Sequence, residues 1–61
     1  MKRITEDDMK DMTNGDIVDT LVKNAYDMGV AKVYLEAKNY EDDEHNVNIL
    51  IKELERRIDG R

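Results

Sequence analysis

Apolar positions along the chain recur at helical spacing. Ile17, Val18, Leu21, Val22, Ala25 and Met28 follow the i, i+3, i+4 rhythm of one helix face. Val47, Leu50, Ile51, Leu54 and Ile58 repeat it further on, and Ile49 falls off that second stripe. Between them lie Val30, Val33, Tyr34, Ala37 and Tyr40, rotated roughly 110° from the first group on a helix turning about 100° per residue.

Polar residues mark the ends of these runs. Thr5-Glu6-Asp7-Asp8 reads as a capping box with Asp in place of the usual Glu, and Ile4 and Met9 are spaced as a hydrophobic staple. Thr13-Asn14-Gly15-Asp16 repeats the signal, and no alternating strand flanks Asn14-Gly15 to make it a hairpin turn. Asp19 precedes Lys23, and Glu53 precedes Arg57, by one helical turn, the favourable order for an ion pair. Asp42 or Asp43 can cap the last helix, Arg56 and Arg57 suit its negative end, and Gly60 stops it.

These signals predict helices near residues 6–12, 15–28, 30–40 and 44–58, the last two antiparallel across the acidic run Glu41–Glu44. The expected class is all-α, a small helical hairpin or bundle of three to four short helices completed by oligomerisation. It is a single domain over 1–61, with 1–4 and 59–61 frayed.

Gly29 is the open point. Either the helix ends at Met28 with Gly29 as a left-handed cap, or one long helix changes the neighbour it packs on; the preferred reading is the break. Ala31, Val33, Leu35 and Ala37 also alternate with polar residues and Tyr34. A strand there could pair with Val47–Ile51 across the loop Asn39–Asn46.

Size makes oligomerisation the expected device. A chain of 61 residues buries only about 60% of the surface it exposes unfolded, and such domains usually add a disulfide, a metal or a second subunit. Cysteine is absent and His45 is the single histidine, so a homodimer is the default. No apolar run approaches the roughly 20 residues needed to span a bilayer, and the start carries no signal peptide, so a cytoplasmic location is expected.

Charge narrows the partners. Fifteen acidic against ten basic residues give a net charge of −5, which disfavours direct nucleic-acid binding and suits a protein partner with a basic surface. Solubility explains the same charge without a partner.

Residues that could carry chemistry are few. Serine and cysteine are absent, and Thr5 and Thr13 are better read as caps than as nucleophiles, so no catalytic residue is assigned. The glycines are too scattered for a phosphate-binding loop. A calcium loop centred on Gly15 would put Lys10, Met12 and Leu21 where oxygen ligands belong, and consecutive acids at Glu41–Glu44 point in different directions. No metal or cofactor is expected. His45 reads as a solvated residue of a first helical turn.

From Val30 to Arg57 the chain resembles Sda, a family of short helical hairpins that inhibit sporulation histidine kinases. Tyr34, Ala37, Asp43, Glu53, Arg56 and Arg57 carry the likeness in a helix–turn–helix frame, and the chain departs from it at Asn46, where the family is apolar. The resemblance implies a small inhibitory binder.

Two functions remain from different classes. The first is a small acidic protein-binding regulator or inhibitor, of the phage or mobile-element type, antitoxin-like or a DNA mimic, acting by stoichiometric binding. Its candidate surface is Ile17, Leu21, Tyr26, Tyr34 and Ile49 with Glu41, Asp42, Asp43 and Glu44. The second is an oligomeric helical protein that sequesters a nucleotide or other small ligand between subunits, through Tyr26, Tyr34, Lys32, Arg56 and Arg57.

Overall fold

The computed structural model describes residues 2–33 and 37–60, with the side chains at 31–33 and 37 left aside. Among the described residues there are three helices, α1 (Glu6–Lys10), α2 (Asn14–Val33) and α3 (Ala37–Asp59), and no strand. The chain is all-α, as its apolar spacing implied.

Both capping boxes form. The Thr5 hydroxyl accepts from the Asp8 amide at 3.3 Å, and the Asp8 carboxylate accepts from the Thr5 amide at 2.9 Å. Thr13 and Asp16 exchange the same pair of bonds, each at 3.1 Å, at the start of α2. The Ile4–Met9 staple packs into the core cluster. At the far end of α3 the Gly60 amide donates to the Arg56 carbonyl at 2.7 Å. A Cβ on Gly60 would lie 2.6 Å from that carbonyl oxygen, which is why only glycine fits this stop without a shift.

Two expectations about the middle of the chain fail. Gly29 does not cap a helix: α2 runs through it, and its Cβ position is open space. The acidic run Glu41–Glu44 is not a turn either, because α3 begins at Ala37 and carries it inside the helix. The described parts of the alternative strand pair, 31–33 and Val47–Ile51, are helical.

α2 and α3 form an antiparallel hairpin. Asn24 meets Asn46 near the middle of both helices, and Asn14 meets Arg57 at one end. The closed core is small: Met9, Ile17 and Leu50 are the fully buried apolar residues among those described, with Ile4, Met12, Leu21, Ile49 and Leu54 packed around them. Three polar residues, Asn24, Asp43 and Asn46, are buried as deeply.

Candidate functional surfaces

The buried polar residues make a connected network that holds the N-terminal segment against the hairpin. The Asn46 amide nitrogen donates to the Lys2 carbonyl at 2.7 Å and to the Asn24 side-chain oxygen at 2.9 Å. The Asn46 oxygen accepts from the Ile4 amide at 2.7 Å. Asn24 completes its own set by donating to the Thr20 carbonyl one turn back, at 2.8 Å. Asn46 thereby ties the arm, α2 and α3 through one side chain, in a place where an unpaired polar group would be costly.

Neighbours extend this seam. Arg3 bonds Asp42 at 2.8 Å, and His45 Nε2 lies 3.2 Å from the Ile4 carbonyl, where it donates when protonated at that nitrogen. Residues 2–4, expected to fray, are therefore docked. His45, expected to be a solvated first-turn residue, sits well inside α3 and is half-buried.

Asp43 and Asp27 share a hydrogen bond across the hairpin. Burial pushes the Asp43 carboxyl above the ordinary carboxylate range, and the bond to Asp27 pushes it further. The same bond lowers Asp27. Of the two, Asp43 is the one whose protonated form the fold favours.

At the Asn14 end of the hairpin Arg57 acts as a clamp. Its guanidinium donates to Glu53 at 2.7 Å, to Asn14 at 2.9 Å and to the Met9 carbonyl at 2.9 Å, satisfying one of the last carbonyls of α1. Arg56 holds the other side of Glu53 at 2.9 and 2.7 Å. Hydrogen bonds from Arg56 and then Arg57 lower the Glu53 pKa to about 2. An open groove of about 440 Å³ lies between α1 and α3, with Met9 and Ile49 among its lining and Glu6, Lys10, Lys52, Glu53, Arg56 and Arg57 around them.

The candidate interaction residues scatter across these environments. Ile17 is fully buried in the core and Asp43 in the hairpin, so neither presents a surface; each sits on the side of its helix that faces the other. Leu21 and Ile49 are half-buried and pack against the core. Glu41 and Glu44 are exposed, and Asp42 is half-buried beside Arg3. Tyr26 is 76% exposed. Tyr34 lies outside the described residues, as does the side chain of Lys32.

The residues named for a small ligand are not brought together among those described. Arg57 bonds Asn14, and Tyr26 lies roughly 18 Å further along α2 at about 1.5 Å per residue. Both arginines are engaged with Glu53.

Sequence reasoning missed Asn24 and Asn46. Their only signal is spacing: each occupies the helical phase of its apolar neighbours, Asn24 between Leu21 and Met28 and Asn46 before Leu50. Among the described residues no group of three or more His, Asp or Glu side chains is placed to hold a metal ion, and no helix is long and apolar enough to cross a membrane. No family model, curated protein or solved structure matches the chain. The resemblance to Sda over residues 30–57 gains no support from these comparisons, and residues 37–59 form one helix, with no turn at the acidic run.

Proposed function

We propose that the chain is a small acidic regulator that binds a protein partner stoichiometrically and without catalysis, as a homo-oligomer with a dimer as the default. The observation that carries this reading is the contrast between a well-capped, tied fold and the apolar side chains it leaves in water, Val22 at 61%, Tyr26 at 76% and Ile58 at 64% exposure. Val22 and Tyr26 lie one turn apart on α2 and Ile58 near the end of α3, and large apolar groups left in water favour an interaction surface. The net charge of −5, with Glu41 and Glu44 exposed on α3, favours a partner with a basic surface. Inhibition of phage or mobile-element type, antitoxin-like pairing and DNA mimicry are versions of the same reading, and a cytoplasmic location goes with it.

Affinity capture at micromolar bait tests it. The expected result is retention of a specific protein that raised salt releases and that Glu41→Lys with Glu44→Lys no longer captures. Recovery of no specific protein would overturn it. A ligand held between subunits is less well supported, since Arg56 and Arg57 are committed to Glu53.

A further inference from the structure

The hairpin has two broad faces, and the chain covers only one. On α3, Asp43, Asn46, Leu50, Glu53 and Arg57 define the side turned toward α2 or the α1–α2 junction. The residues one position earlier, Asp42, His45, Ile49, Lys52 and Arg56, lie about 100° to one side, and these contact the N-terminal segment or line its groove. The residues one position later, Glu44, Val47, Ile51, Leu54 and Ile58, lie about 100° to the other side.

On α2 the residues one position after Ile17, Leu21 and Asn24 are Val18, Val22 and Ala25. Reversing chain direction reverses the sense of helical rotation, so in an antiparallel pair these emerge on the same side as Val47, Ile51, Leu54 and Ile58. That side is bare. Val18 is 48% and Ile51 41% exposed, Ala25 is exposed, and Val47 and Leu54 are half-covered. Among the described residues Glu44 ends the row on α3 and Glu55 stands at its edge, and no charged side chain interrupts it from Val47 to Ile58.

We infer that this bare face is where two copies of the chain meet, closing an antiparallel four-helix bundle. The inference rests on the homo-oligomer part of the proposed function and assigns it a surface. A second copy is the occupant for two reasons. Among the described residues the closed core holds three buried apolar side chains, fewer than the bare face offers, and so small a domain gains from cover whenever it forms; a second copy is always present to give it. The size also allows it: a molecule measuring 40 × 17 × 15 Å has a broad side of roughly 700 Å² at most, an upper bound on the face and of the same order as the approximately 800 Å² per partner of a standard interface.

A twofold axis along the hairpin sets α2 of each copy over α3 of the other, running opposite to it. Asn24 and Asn46 are level within the hairpin, so the small Ala25 of one copy comes over Val47 of the other. Left-over helix surface then packs as it does in a four-helix bundle.

Sedimentation of the full chain between 1 and 100 µM, run beside two variants, is the test. The expected result is a dimer of about twice the 7.1 kDa chain mass. Val22→Asp and Ile58→Asp each weaken it at least about tenfold with helical circular dichroism retained, while Lys52→Glu on the covered side leaves it unchanged. A wild-type monomer at tens of micromolar, with melting independent of concentration, overturns both this interface and the homo-oligomer reading. A dimer that both aspartate variants leave intact overturns this interface alone. Should the aspartates unfold the chain, single cysteines serve, because the chain has none of its own. Val22→Cys is expected to cross-link with a short bis-maleimide and Lys10→Cys is not; the reverse pattern overturns the inference.

Discussion

The two faces of the hairpin are built on different physics. On one, the N-terminal segment is held by directional bonds: Asn46 to Lys2 and Ile4, His45 to Ile4, Arg3 to Asp42, and Arg57 to the Met9 carbonyl. On the other, Val18, Val22, Ala25, Ile51 and Ile58 stand in water with no bonding groups at all. Directional bonds admit one register of one segment and saturate once made. An apolar surface specifies little by itself and is satisfied by area, which suits a face completed by a second molecule. The difference teaches where this chain concentrates its specificity: on fastening its own terminus.

The comparison breaks most severely at Asn46. Asn46→Ala leaves the Ile4 amide, the Lys2 carbonyl and the Asn24 oxygen without their partner. Buried groups left unpaired cost about 1–3 kcal/mol each, so a loss of about 3 kcal/mol is expected, enough to release the arm or unfold so small a domain. Denaturant melts measure the loss, and amide exchange at Ile4 reports the release. A change within about 0.5 kcal/mol would show that water replaces these bonds freely.

Arg57→Met tests the other fastening. It keeps an apolar stem but removes the bonds to Met9, Asn14 and Glu53, for an expected loss of about 1–2 kcal/mol. Exchange at α1 amides should rise while that of mid-α3 amides follows the global change.

Acidity sharpens the contrast within the bonded face. Glu53, lowered to about 2, and Asp8, lowered by its bonds with Thr5, give stability that is present above their ordinary pKa values near 4.5 and 3.8. It is lost as pH falls through the depressed folded values, so the melting temperature should drop below about pH 4.5, and Glu53→Gln should flatten that drop. Asp43 has the opposite sign. Its folded pKa is raised, so its contribution is present below 3.8 and lost as pH rises through the raised value. Asp43→Asn keeps a donor for Asp27 without a buried charge and is expected to raise the melting temperature at neutral pH. A lower one would show that the ionised form is the stabilising one.

The smallest expected effect is at Gly29. It lies inside α2 with open space at its Cβ, so Gly29→Ala should stabilise by about 0.5–1 kcal/mol. Destabilisation would restore the cap reading that the long helix displaced.

Local signals were legible in the sequence and long-range ones were not. Thr5–Asp8, Thr13–Asp16, Asp19–Lys23 and Glu53–Arg57 are pairs within one turn, and all four form. The helix through Gly29 was obscured because apolar periodicity on α2 does not point at α3. Asn24 fills a position in the interior, while Val18, Val22 and Tyr26 face outward. The α2 stripe mixes an interior face with a bare one. It conflicts in phase with the residues beyond Gly29 only when the whole stripe is assumed to report one neighbour. Asp43 misled in the same way: a buried carboxyl inside an acidic run reads as one more solvated turn residue.

Isotope-filtered nuclear Overhauser spectroscopy on a mixture of labelled and unlabelled chains observes the central claim without any mutation. Contacts between copies are predicted at the methyl groups of Val18, Val22, Ala25, Ile51 and Leu54, and none at Met9 or Ile49, which pack in the core of one chain on the other side of the hairpin. Intermolecular contacts at Met9 and Ile49, or none at any of these methyls, would contradict it.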